Sequence, residues 1–119
     1  MEPKLVPLRI PTGWSVALNK FREVNPEQFK HEDYEFCWEF DEDILHLKNE
    51  YRNRILDLGW YPSFNPKGIY RLLLIELHDD HDEQTESWEK PLIIFESRDI
   101  EETQRTIEHI LIQVTEGLL

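Results

Sequence analysis

A single cysteine, Cys37, stands in a chain of 119 residues, which excludes an internal disulfide framework and a cysteine-rich zinc module and fits a reducing compartment. Glycine is almost as scarce. With four in the chain no phosphate-cradling loop is built, and none of the stretches G-x-S-x-G, G-x-x-x-x-G-K-[ST] or H-E-x-x-H occurs. Basic residues are outnumbered, 13 Lys and Arg against 25 Asp and Glu, for a formal net charge of -12. Affinity for nucleic acid depends on cations displacing counterions from phosphates, so no nucleic-acid partner is expected, and anionic membranes are disfavoured for the same reason. The opening MEPKLVPLRIPTGW has no apolar h-region and carries Pro3, Pro7 and Pro11. It reads as neither a signal peptide nor a membrane span, and the expected location is cytoplasmic.

What is present points to a folded chain. Hydrophobic content of 39% and aromatic content of 12% are too high for a disordered acidic tail, whatever the charge. The length suits one domain, residues 1–119, with one core. No internal repeat or Gly/Ser linker divides it. An acidic surface favours solubility and fast capture of a basic partner, because long-range attraction raises the encounter rate before contact.

Along the chain, the prolines hold residues 1–11 as an extended arm. Trp14, Val16 and Leu18 alternate with Ser15, Ala17 and Asn19, the period of a half-buried strand. Asn25 is placed to cap a short helical turn with Pro26 at its first position and Gln28 able to return a hydrogen bond. Between residues 40 and 58 two readings are open. Phe40, Ile44, Leu47, Tyr51, Ile55 and Leu58 recur at helical spacing, while Leu56, Leu58 and Trp60 alternate with Asp57 and Gly59. The preferred reading is two strands, about 43–49 and 53–61, joined by a turn at Lys48-Asn49-Glu50. Asn65-Pro66-Lys67-Gly68 has the residues of a type I turn. Ile69 to Leu77 and Leu92 to Phe95 read as strands, the second preceded by Pro91. Asp99 and Glu102 form a capping-box pattern ahead of an apolar stripe of Ile100, Ile107, Ile110, Leu111, Val114 and Leu118, which predicts a helix over about 100–116. Gly117 and Leu118 have the pattern of its C-terminal stop. The expected fold is α+β: an antiparallel meander with the C-terminal amphipathic helix packed on one face.

The stretch HDDHDEQTESWEK, His78 to Lys90, connects two of these strands and reads as a surface loop. It is a metal site, an acidic docking surface or solvated chain. Catalytic zinc needs a third ligand at fixed geometry, and a His78-x-x-His81 pair on an extended loop does not converge. The order of acids does not match a calcium loop. No metal or cofactor is therefore expected. Cys37 lies between Glu35 and Glu39, which oppose formation of a thiolate, and if Tyr34 to Phe40 is extended its four rings share one face. His31, His46 and His109 are scattered. The chain is read as a binder with no catalytic residue, whose steering charges are Asp79, Asp80, Asp82, Glu83 and Glu86, with Trp88 at their edge as an anchor. Trp60 and Tyr61, with Phe64 in the same proline-bounded connection, form a second candidate contact, although core anchoring is the competing role for any single ring.

Three short motifs, Pro11-Thr12-Gly13-Trp14, Asp57-Leu58-Gly59-Trp60-Tyr61-Pro62 and Phe95-Glu96-Ser97-Arg98, resemble those of small acidic single-domain bacterial immunity proteins encoded beside secreted toxins. The resemblance implies a toxin-neutralising partner protein without catalysis. Such proteins span many unrelated folds, so it assigns no functional residue here. Joined to the charge, it leads to the expectation of an inhibitor that binds a basic protein, such as a nuclease toxin domain whose cleft is positive because it binds phosphate. The alternatives are a small metal-dependent hydrolase using His78 and His81, and a non-catalytic scaffold or regulatory subunit.

Overall fold

Leu45 and Leu47 alternate with His46 and Lys48, and Leu56, Leu58 and Trp60 alternate with Asp57 and Gly59. In the computed structural model, which describes residues 2–119, this period-two pattern prevails over the helical one. The segments are strands β2 (Leu45–Asn49) and β3 (Arg54–Tyr61). Their turn is Glu50 to Asn53, later than the sequence indicates. Asn49 reaches into it by accepting from Arg52 N–H at 2.9 Å, and Asn53 takes a positive φ of 56°, which asparagine tolerates better than most residues. With β1 (Ser15–Asn19), β4 (Ile69–Glu76) and β5 (Ile93–Ser97) they form a five-stranded antiparallel sheet in sequence order. The Asn65 to Gly68 turn forms as expected, with Gly68 N–H donating to Asn65 O at 2.9 Å. The fold is α+β.

One sheet face carries the core. Leu45, Leu47, Leu56, Leu58, Trp60, Tyr70, Leu72 and Leu74 are buried there with Ile107, Ile110, Leu111 and Val114 of the C-terminal helix, α2 (Ile100–Thr115). Asp99 caps α2 by accepting from the N–H groups of Glu101 and Glu102. The returning bond of the expected capping box is absent from Glu102. Instead Asp99 N–H donates to Ser97 Oγ at 2.9 Å. At the other end Leu118 N–H donates to Gln113 O and Gly117 N–H to Val114 O, with Gly117 at φ 79°, the paired bonds of a glycine-terminated helix. Leu118 is nevertheless 65% exposed and does not fold back on the helix. No basic residue lies in the last turn of α2. Arg52 of the β2–β3 turn supplies that charge by donating to Thr115 O at 3.1 Å.

Ile110 is among the buried side chains of α2. Ile110→Ala is expected to destabilise the fold by about 2–4 kcal/mol in urea unfolding, whereas a loss below about 0.5 kcal/mol would place this face outside the core.

The N-terminal arm packs instead of trailing. Val6 N–H donates to Phe21 O at 2.8 Å, Leu5 bridges Arg22, and Gln104 of α2 donates to Pro7 O at 2.7 Å. Two expectations for the first half are corrected. β1 is an edge strand with a bulge between Val16 and Leu18, so Val16 is 50% exposed rather than half of a buried face. The segment from Tyr34 to Phe40 is not extended; it contains a 3₁₀ turn, Cys37–Glu39, that buries Cys37 and Phe40.

Candidate functional site

His78 to Lys90 is not a loop. Asp80 accepts from Glu83 N–H at 2.9 Å and starts helix α1, His81–Glu89. No residue of α1 is buried, so burial of an apolar stripe does not explain it. Polar contacts dock it instead. Gln84 Nε2 donates to Glu76 O at 2.9 Å and Ser87 Oγ to the same oxygen at 3.1 Å, while His78 N–H donates to Gln84 Oε1 at 2.8 Å. One turn on, the Trp88 ring stacks over His46, with centroids 6.4 Å apart. Strand residues alternate sides, and Leu45 and Leu47 face the core. His46 therefore faces the opposite side of the sheet, and α1 lies there, away from α2.

With Gln84, Ser87 and Trp88 turned to the sheet, helical geometry places Asp82, Thr85, Glu86 and Glu89 on the outer side. Asp79, Asp80, Asp82, Glu83, Glu86 and Glu89 are all exposed. Of the predicted steering charges, Asp80 is the cap, Glu83 lies 3.5 Å from His78 Nδ1, and Glu86 lies 3.9 Å from Lys90. The structure thus puts Asp82, Glu83 and Glu86 on α1, with Asp80 as its cap and Asp79 just ahead of it. Trp88 is half-buried, and part of its ring serves the docking of α1.

Trp60 is a correction. It is fully buried, its Nε1–H donates to Asn65 O at 2.8 Å, and Phe40 and Tyr70 meet its ring edge-on at 4.7 and 5.0 Å. A partner has nothing of it to touch. Its place on the same strand face as Leu56 and Leu58 is the reason. Tyr61 points to the other side and stays partly exposed, with the Arg71 guanidinium 5.0 Å from its ring centre. Its hydroxyl pKa is raised by burial, with Asp57, Glu42 and Asp43 adding to the rise and Arg71 opposing it.

His78 Nε2 lies 3.2 Å from Glu76 and its Nδ1 faces Glu83. Among the described residues, no group of three or more His, Cys, Asp or Glu side chains is arranged to hold a metal ion. Burial and then the charge of Glu32 push the Cys37 thiol up, away from the thiolate that a nucleophile needs. No helix among the described residues is long and apolar enough to cross a membrane.

Sequence reading missed Trp38, which is 72% exposed in a run with more carboxylates than α1. Residues 31–43 contain Glu32, Asp33, Glu35, Glu39, Asp41, Glu42 and Asp43. That density, interleaved with rings, is the signal that singles it out. Comparison with protein-family models, curated proteins and solved structures finds no match.

Proposed function

We propose that this chain is a toxin-neutralising protein of the immunity type, a non-catalytic inhibitor whose acidic surface captures a basic partner, a nuclease toxin domain being the partner that the charge suits best. The observation that carries this reading is the placement of carboxylates on α1. Acids in the first turn of a helix favour its dipole, but Glu86 and Glu89 lie in the last turn, where the dipole is negative and acids are unfavourable. The exposed Glu86–Lys90 pair returns only roughly a few tenths of a kcal/mol to the helix. Their position does serve a field that steers a cationic partner.

The test is kinetic. Candidate partners are the C-terminal domains of secreted proteins encoded next to this chain, each purified and mixed rapidly with it at two salt concentrations. The variant Asp79→Asn/Asp82→Asn/Glu86→Gln/Glu89→Gln leaves the Asp80 cap and the His78 contacts in place. It is expected to slow association by about tenfold at low salt and to flatten its salt dependence, with unfolding changed by no more than about 1 kcal/mol. Association that ignores all four charges would remove α1 from the interface.

A further inference from the structure

The chain's tryptophans have different fates. Trp14 is half-buried and donates to Thr115 Oγ1 at 3.1 Å, Trp60 is in the core under the Arg98 guanidinium, and Trp88 leans on His46. Trp38 alone stands out in solvent. The 3₁₀ turn explains how: Cys37 and Phe40 are pinned in the core, and the residue after Cys37 is turned outward. Leaving so large a ring in water forgoes hydrophobic stabilisation on the order of 2 kcal/mol.

The ring is also backed. Phe64 meets it edge-on, with centroids 4.9 Å apart and planes 70° apart. Phe64 has φ 58°, a conformation that costs a bulky residue free energy and persists only where its surroundings impose it. Here Phe64 N–H donates to Phe40 O at 2.7 Å, and Cys37 Sγ to Phe64 O at 3.7 Å. The two rings make a fixed aromatic shelf.

Carboxylates flank Trp38 along the chain. Arg22 pairs with Glu39 at 3.1 Å and Lys20 with Asp41 at 3.2 Å. Glu35, Glu42 and Asp43 remain exposed, with no ion pair among the described residues. The pKa of Tyr34 is raised by burial and then by Glu35, and that of Tyr61 by burial and then by carboxylates that include Glu42 and Asp43. An exposed indole face among carboxylates attracts a guanidinium or ammonium group through both the ring quadrupole and the charges. The chain uses this pairing internally, with Arg98 5.2 Å from the ring centre of Trp60.

We infer that the Trp38–Phe64 shelf is the anchor point of the interface, receiving an arginine or lysine side chain of a basic protein partner. This inference rests on the acidic-surface reading above and moves the hot spot from Trp88 to Trp38. A second copy of the chain is a poor occupant, because it brings the same charge of -12.

The experiment follows indole N–H signals by two-dimensional NMR of the full chain, with Trp38→Phe identifying the Trp38 signal. The probe is a blocked glycine peptide bearing two arginines, and its control carries citrulline, the neutral isostere. The Trp38 signal is expected to shift saturably with arginine and less than half as far with citrulline. In Glu35→Gln/Glu42→Gln/Asp43→Asn the shift with arginine should fall to the citrulline level. Shifts confined to amides of Asp82 to Glu89 would overturn the Trp38 anchor and leave the acidic α1 reading standing. Equal shifts with both peptides would overturn the cation preference, and no shift anywhere would count against both readings.

Discussion

Trp60→Ala is expected to destabilise the protein by about 3–5 kcal/mol, a large share of the roughly 5–15 kcal/mol that holds a domain of this kind together. The ring is fully buried between Phe40 and Tyr70, with Phe29 6.2 Å away. Its removal leaves a cavity and takes the indole donor from Asn65 O. It also removes the surface over which Arg98 lies while that residue donates to the carbonyls of Pro26, Pro66 and Gly68. Three connections lose their shared support. If the alanine variant does not fold, Trp60→Phe keeps a ring and loses only the indole N–H and part of the volume, for an expected loss of about 1–3 kcal/mol. Urea midpoints measure both. The same change at Trp38 is expected to shift stability by less than about 1 kcal/mol, since that residue is 72% exposed. Equal losses at the two sites would contradict the separation of core and surface tryptophans.

Gly59→Ala is expected to cost about 3 kcal/mol, at the upper end for an overpacking change. A Cβ at Gly59 would stand 2.0 Å from the carbonyl oxygen of Glu42 and 2.8 Å from the Tyr61 ring. The first obstacle is backbone and cannot swing aside as a side chain would. It is tied down on both sides, since Trp60 N–H donates to Asp41 O at 2.7 Å and Ile44 N–H to Leu58 O at 3.0 Å. Residues 41–44 would have to lift from β3, carrying Glu42 and Asp43 with them. The variant should therefore lose stability in thermal unfolding and also displace the Tyr61 and Trp38 resonances. A variant as stable as the parent would mean that this crossing is loose, and that Glu42 and Asp43 are not held in place by the fold.

Where structure follows from neighbours in the chain, the sequence was legible. The stripe on α2 with Asp99 before it, the Asn65 to Gly68 turn, and the apolar runs of β4 and β5 are local patterns, and each formed within a residue or two of its expected place. The alternation of Leu56, Leu58 and Trp60 already placed that tryptophan on the core face, although its aromatic surroundings made it look like a contact residue. Helix α1 escaped notice because it has no apolar stripe to read. Its local mark was Asp80 with Glu83 three residues on, the pattern of a capped first turn.

The sequence by itself determined the acidity, the α+β architecture and the face of β3 that enters the core, because charge is additive and burial obeys the periods of helix and strand. Only the tertiary structure decided which ring meets solvent and which carboxylates share a surface. Trp38 is exposed because Cys37 and Phe40 on either side are anchored by residues far along the chain, Phe64 and Trp60 among them. Trp88 is half-covered because α1 folds back over His46. Contacts between residues so distant in sequence leave no periodic trace in it, since any of 25 acids and 14 aromatic rings could have met before the chain closed.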